Sequence, residues 1–150
     1  MLKRKGKPVK SVKDLDNRIL EAAKKAKDRR VKIGFPAGKD TTDSEGVSAL
    51  FKAVVNNYGL GVPKRPFMAV AFAQNVDKYK KFLGAKIKED PESIETHLDK
   101  LGAIGRSDIQ KSIIDLKSPP NAQSTIDAKG SSNPLIDTGH MNQAATWEVV

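Results

Sequence analysis

Two short alternating segments, one near each end of the chain, do most to limit the folds open to this sequence. Residues 31–35 (Val-Lys-Ile-Gly-Phe) and 145–150 (Ala-Thr-Trp-Glu-Val-Val) show the alternation and β-branched content of β-strands. The stretch between them is dominated by longer runs with helical apolar spacing. We therefore expect the two strands to pair with each other, with helices in the connection.

Four runs of apolar residues at helical spacing predict four helices, each with its own start or stop signal. They cover residues 11–26, 47–58, 67–84 and 90–116. Ser11 and Asp90 are the expected N-caps, and Gly59 and Gly84 the expected stops. A fifth, short helical turn is expected at 141–144. The apolar face of the second helix comprises Val47, Leu50, Phe51, Val54, Val55 and Tyr58.

Two segments are predicted to lie outside regular structure. Residues 1–10 hold five Lys/Arg together with Gly6 and Pro8, and we expect a flexible basic arm. Residues 118–139 are rich in proline, glycine and serine and predict a long polar loop, a feature that is usually functional or ordered by a partner. Residues 11–150 are then a single domain.

The positive charge of the chain is concentrated at its start. The net charge is +9, and residues 1–32 hold 13 Lys/Arg against 4 Asp/Glu, whereas residues 33–150 hold 14 of each. This imbalance indicates contact with a polyanion or an acidic protein surface, and the alternative is a solvated helix face. The candidate contact residues are Lys3, Arg4, Lys5, Lys7, Lys10, Lys24, Lys25, Arg29 and Arg30.

The residue types that carry most enzyme chemistry are scarce, so we expect neither an enzyme nor a cofactor. The chain has no cysteine, which excludes disulfides, thiolate metal sites and cysteine nucleophiles. His97 and His140 lie too far apart in sequence for a recognisable metal motif, and the acidic loop at 39–46 does not match a calcium-loop spacing. No apolar stretch is long enough to span a membrane. We expect a soluble, unexported protein without membrane contact.

An acidic cluster at 89–99 is the strongest catalytic candidate. Glu92, Glu95 and Asp99 share one face of the predicted fourth helix and can form a carboxylate pair for acid–base chemistry. Acidic residues in a first turn also stabilise the helix dipole, and this structural role is favoured. A hydrolase or nuclease acting through this cluster therefore ranks last among the functional hypotheses.

Three ordered segments resemble the virion morphogenesis or tail-completion proteins of tailed bacteriophages, which are neck components of the head–tail connector. They are Asn57-Tyr58-Gly59 with residues 62–68 (Val-Pro-Lys-Arg-Pro-Phe-Met), residues 118–131, and residues 134–141 (Pro-Leu-Ile-Asp-Thr-Gly-His-Met). The similarity spans roughly residues 31–149 in the same order. The chain departs from the family at Asn57, Lys64 and Ala144-Ala145. The matched positions are Tyr58, Gly59, Pro63, Arg65, Pro66, Phe67, Pro119, Pro120, Thr125, Lys129, Gly130, Pro134, Leu135, Asp137, Thr138 and Gly139.

The resemblance implies an α+β fold in which a small, mostly antiparallel sheet packs with several helices. From the residues themselves we expect the long loop to order on assembly, and the basic N-terminal arm lies outside the matched region. It implies a homo-oligomeric ring, most often sixfold, around the DNA channel of the virion neck, assembled in the host cytoplasm. The implied partners are further copies, a head-side connector or adaptor protein, and a tail tube or tail terminator protein. Non-specific contact with packaged DNA is a further implied interaction.

The resemblance also assigns roles to single matched residues. Pro63 and Pro66 stiffen the entry to a helix, with Pro66 suited to its first position, and Phe67 anchors that helix in the core. Arg65 can bind a carboxylate with two parallel hydrogen bonds, and Asp137 is a candidate partner. Asp137 and Thr138 can instead bond their own backbone in a turn in which Gly139 supplies a positive φ. Both alternatives stay open at this point.

A small nucleic-acid-binding protein is the alternative function. The basic arm and the first helix would then neutralise phosphates. Against this, no aromatic residue interleaves with the basic residues of positions 1–32, and no recognised DNA- or RNA-binding motif occurs.

Overall fold

The computed structural model describes Pro8 and residues 10–150. The predicted arm therefore lies, apart from Pro8 and Lys10, outside the described residues. The described elements are α1 (Val12–Ala26), β1 (Val31–Gly34), a 3-10 turn (Ala37–Lys39), α2 (Ala49–Tyr58), α3 (Phe67–Glu89), α4 (Ile94–Asp115), α5 (Gln123–Lys129), α6 (His140–Ala144) and β2 (Thr146–Val149). The fold is mostly helical with one small antiparallel sheet, which agrees with the α+β class.

The sheet consists of the two strands that the sequence predicted. β1 and β2 run antiparallel in a register that pairs Val31 with Val149 and Gly34 with Thr146. Arg30 and Val150 extend the ladder by exchanging two backbone hydrogen bonds of 2.9 Å each. The expected pairing of the two predicted strands is confirmed.

Helix α4 packs across this sheet at very short range, because two glycines face it. A Cβ atom added at Gly105 would lie 2.6 Å from Cδ1 of Ile33, and one added at Gly102 would overlap the indole ring of Trp147. The indole nitrogen of Trp147 donates a 2.8 Å hydrogen bond to Asp99, which fixes the ring against the helix. The two glycines thus let the side chains of Ile33 and Trp147 lie directly against the backbone of the helix.

The core lies between α3, α4 and the C-terminal segments. Its fully buried centre contains Phe67, Ile109 and Ile113, and Phe35 packs edge-to-face on Phe67 with 6.2 Å between ring centroids. The hydroxyl of Ser112 donates a 2.7 Å hydrogen bond to the carbonyl of Phe67, which satisfies a polar group in this interior. The remaining buried members of the cluster are Ala53, Ala71, Leu135, Met141 and Ala145.

Several helix boundaries differ from prediction. Helix α3 continues through Gly84 to Glu89, since one glycine in a long helix costs only about 1 kcal/mol. Helix α4 begins at Ile94, because Asp90 folds its carboxylate onto the backbone of Glu92 and the hydroxyl of Ser93 in the turn between the two helices. Helix α2 begins at Ala49, and α3 begins one residue after Pro66.

The prediction of a continuous loop at 118–139 is wrong in its centre. Helix α5 occupies residues 123–129, and the segment that follows buries Pro134 and Leu135. That it orders on assembly stays a prediction. Within the described part of the chain, no helix is both long and apolar enough to cross a membrane.

Candidate functional site

Two of the three segments singled out in the sequence, residues 62–68 and 118–131, meet at Arg65. This side chain is only 3% exposed. Its Nε donates to the carbonyl of Pro119 at 2.8 Å, and its Nη2 donates to the carbonyl of Pro120 at 3.3 Å and to Oδ1 of Asn121 at 3.2 Å. The backbone N–H of Arg65 donates to the carbonyl of Asn56 at 2.8 Å. One guanidinium therefore joins residues 119–121 to the connection between α2 and α3, and we call this arrangement the Arg65 clamp.

The expected ion pair between Arg65 and Asp137 is wrong. The hydrogen bonds of the guanidinium run to uncharged oxygens, and burial lowers the pKa of Arg65. Asp137 is exposed and acts on Lys129 instead. Burial lowers the pKa of Lys129, the charge of Asp137 opposes that change, and the charge of Arg65 adds to it. A fork of N–H donors suits backbone carbonyls as well as it suits a carboxylate, which is why the motif alone misidentified the partner.

The third matched segment is held to α5 and α4 by Asn133. The ammonium of Lys129 donates to the carbonyl of Asn133 at 3.1 Å, and the amide of Asn133 donates to the carbonyl of Ile114 at 3.0 Å. The side-chain oxygen of Asn133 accepts from the N–H of Leu135, whose side chain is buried in the core. Asn133 was not among the predicted site residues, and an Asn before Pro134 is its only sequence signal.

Thr138 and Gly139 take the structural alternative left open by the sequence. Gly139 has φ +81° at the start of α6, and Oγ1 of Thr138 accepts a 3.4 Å hydrogen bond from the N–H of His140. Gly59 likewise has φ +75° where α2 ends, with its predicted role confirmed. Phe67 is fully buried, as expected of an anchor. The other matched positions at the surface are Tyr58, Pro63, Pro120, Thr125, Gly130 and Asp137.

An apolar surface adjoins the clamp on the outer side of α2. Phe51 and Tyr58 are 60% and 65% exposed, although the helical pattern placed both on the buried face. The helix buries Ala49 and Ala53 instead, because small side chains let it approach its neighbours closely. A groove of about 430 Å³ runs between α2 and α3. Its large apolar lining residues are Phe35, Leu50, Val54, Tyr58, Met68 and Phe72.

The acidic cluster turns toward other parts of the same chain. Glu92 lies 3.7 Å from Arg18 in α1, and Glu95 lies 2.6 Å from Arg29 in the turn between α1 and β1. Asp99 accepts the hydrogen bond from Trp147. Each of the three acids therefore has a partner within the same chain.

The two histidines also have structural neighbours. His97 is buried, with Nε2 2.7 Å from the carbonyl of Asp90, and Nε2 of His140 lies 3.1 Å from Oγ1 of Thr41. Over Pro8 and residues 10–150, no group of three or more His, Asp or Glu side chains is placed to hold a metal ion.

The acidic loop before α2 serves as a cap for that helix. Asp40 accepts from the hydroxyl of Ser48 and the N–H of Leu50, and both contacts hold its pKa below the usual value. Asp43 accepts from the ammonium of Lys52 and the N–H of Val47, which lowers the pKa of Asp43 to about 2. Both carboxylates are thereby engaged with the protein itself.

The basic residues divide between internal pairs and the open surface. Arg29 pairs with Glu95, and Lys24 lies 2.8 Å from Glu21. Lys10, Lys25 and Arg30 are exposed. Lys3, Arg4, Lys5 and Lys7 lie outside the described residues. Some basic residues near the start of the chain therefore pair with acidic residues of the same chain, Glu92 in the turn before α4 and Glu95 in α4.

Comparison of the chain with protein-family models, curated proteins and solved structures gave no match. The site is accordingly interpreted from its own residues. It consists of the buried Arg65 clamp, which joins distant segments, and the apolar surface beside it.

Proposed function

We propose that this protein is a structural subunit of the neck of a tailed bacteriophage, without enzymatic activity. Copies of it form a ring around the DNA channel that joins the tail to the head-side connector or completes the tail. The observation that carries the proposal is the Arg65 clamp, which joins two of the three family-like segments, residues 62–68 and 118–131.

Convergence in space supports a resemblance in a way that order along the chain does not. Arg65 and its acceptors are more than fifty residues apart. Asn133, directly before the third segment, is bonded to Lys129 of the second segment and to Ile114 of α4. Segments that resemble a family by chance have no reason to contact each other in the folded chain. Segments that a family retains for its fold are expected to be in contact, because each supplies interactions that the others need.

The exposed apolar residues beside the clamp support the assembly part of the proposal. Large apolar side chains gathered on one surface are typical of protein–protein contacts. The proposed partners are other copies of the chain, a head-side connector or adaptor protein, and a tail tube or tail terminator protein. The basic residues before β1 would contact the packaged DNA or an acidic neighbour in the virion.

Size-exclusion chromatography with light scattering, followed by electron microscopy, tests the proposal. The protein is measured alone, with the purified head-side connector, and with duplex DNA at moderate salt. We expect a mass that is a multiple of the subunit mass and ring-shaped particles, alone or on the connector. A monomer that binds DNA tightly, with affinity falling steeply as salt rises, would establish the nucleic-acid-binding alternative instead. Portal, capsid and tail-tube genes beside the coding gene would add independent support.

A further inference from the structure

We propose that the groove between α2 and α3, together with the exposed face of α2 that carries Phe51 and Tyr58, is a contact surface between copies of this chain. The inference rests on the proposed function, because a ring requires such a contact, and it specifies where on the subunit the contact lies. Its basis is the distribution of apolar side chains, the chemistry of the groove and the total surface of the subunit.

Exposed apolar side chains are concentrated in one short part of the chain. Ten large apolar residues are exposed among the described residues, and five of them fall between positions 51 and 62. These five are Phe51, Val54, Tyr58, Leu60 and Val62. Single exposed apolar residues are normal on a monomer, whereas a contiguous group marks an interaction surface. Phe51, Val54 and Tyr58 form such a group, because spacings of three and four residues place them on one face of α2. Val54 and Tyr58 also line the groove.

The chemistry of the groove favours an apolar protein partner. No charged side chain lines it. The side-chain oxygen of Asn57, its one amide, already accepts a 3.3 Å hydrogen bond from the N–H of Met68. Nucleic acid would require cations here. Contacts between copies of one chain are more apolar than those with transient partners, which are about as polar as the rest of the surface.

The subunit also exposes more surface than a compact monomer of its size. The chain exposes 9797 Å², whereas about 7,500 Å² is expected for its mass. If the first ten residues are assigned the full surface of an unfolded chain, about 1,700 Å², the remainder still exceeds expectation by about 1,000 Å². A standard interface covers about 800 Å² on each partner. The excess is therefore enough for one face that another copy would cover.

A charged double substitution on the exposed face of α2, Phe51→Glu with Tyr58→Glu, tests the location of the contact. Ile114→Glu on α4 is the matched control, because Ile114 is 45% exposed but lies away from the groove lining. All three side chains point to solvent, so we expect the variants to keep the wild-type circular dichroism and melting temperature. Sedimentation over a wide concentration range should show self-association of the wild type and the control. In the groove variant, the dissociation constant should rise about tenfold or more.

A second measurement reads the contact directly. Because the chain has no cysteine, Phe51→Cys and Ile114→Cys each create a single reactive thiol. Alkylation of the thiol at position 51 should slow as protein concentration rises, and alkylation at position 114 should not. If the wild type associates while the groove variant associates equally well, or the thiol at 51 stays unprotected, the inference is wrong and the ring proposal stands. A wild type that remains monomeric at every concentration overturns both the inference and self-assembly of the free subunit.

Discussion

Arg65 shows how a single buried cation can organise segments that are distant in sequence. Its hydrogen bonds fix three oxygens of residues 119–121, and each is a charge-assisted bond in a water-poor site. Because two of these acceptors are backbone carbonyls, the directions of the donors matter as much as the charge. A lysine would keep the charge but lose the planar fork.

We therefore expect Arg65→Lys to lower the free energy of unfolding by about 1–3 kcal/mol. Asp137→Asn should change it by less than about 0.5 kcal/mol, because Asp137 is exposed and makes no contact with the clamp. Urea denaturation followed by the fluorescence of Trp147, the one tryptophan, measures both. Equal losses of unfolding free energy in the two variants would instead support an ion pair between Arg65 and Asp137. Lost assembly with unchanged stability in Asp137→Asn would assign that residue to an interface.

Asp43 provides a second prediction at the residue scale, on the dependence of stability on pH. Its native pKa of about 2 lies below the value of about 3.9 expected in the unfolded chain. A lowered native pKa means that the unfolded state binds the proton more tightly. The stabilisation by Asp43 is thus complete above about pH 4 and is lost as the pH falls toward 2.

Asp43→Asn should consequently be less stable than the wild type at neutral pH, with a difference that shrinks between about pH 4 and pH 2. Parallel urea titrations of the two proteins across this range measure the difference, and other carboxylates cancel because both proteins contain them. If the difference in unfolding free energy stayed constant with pH, Asp43 would stabilise the protein through its hydrogen bonds and not through its charge.

At the scale of elements, the contact of α4 with the sheet depends on Gly102 and Gly105. The backbone of the helix lies against Trp147 and Ile33 at distances that leave no room for a methyl group. Gly84 offers the opposite case within α3, because a Cβ atom added there would meet nothing within 4 Å. The same substitution should therefore have opposite effects in the two helices.

Gly102→Ala should destabilise the protein by about 1–3 kcal/mol, since the added methyl group forces Trp147 away from the helix. Gly84→Ala should leave stability unchanged or raise it by up to about 1 kcal/mol, through helix propensity alone. Thermal unfolding of both variants checks the pair, and the emission maximum of Trp147 should shift only in Gly102→Ala. If Gly102→Ala left the stability unchanged, the sheet would be able to move away from α4 without a loss of unfolding free energy.

At the scale of the whole molecule, the basic N-terminal part is attached lightly to a neutral body. Helix α1 buries only Ala22, whereas α4 buries nine residues. Arg18 of α1 lies 3.7 Å from Glu92, and Arg29 in the following turn pairs with Glu95. The exposed pair Arg29–Glu95 contributes less than about 1 kcal/mol. The charge excess is thus partly balanced inside the subunit.

Deletion of residues 1–10 should leave the melting temperature nearly unchanged and should weaken assembly or docking to the connector. The physical reason is that five of these ten residues are Lys or Arg, whose charge favours a partner contact. Calorimetry and light scattering with the connector measure the two effects. A large fall in melting temperature would show that this segment belongs to the folded core.

The sequence by itself determined the helix ends and strands that depend on interactions between neighbouring residues. Caps and stops act within a few residues, so Ser11 and Gly59 marked real helix ends, and alternation located both strands. The family-like positions were also visible, but their partners were not. The carbonyls that Arg65 binds carry no side-chain signal, and the helix at 123–129 is too short for its periodicity to stand out.

Only the tertiary structure decided which surfaces are buried. In α2, apolar periodicity favoured the face with Phe51 and Tyr58, yet the packed face carries Ala49 and Ala53. Which face is covered depends on how closely neighbouring helices approach, and that distance is set by residues far away in the chain. Local hydrogen bonding is encoded in neighbouring residues, whereas burial is a property of the assembled core, and so the exposed apolar surface appeared only once the helices were placed.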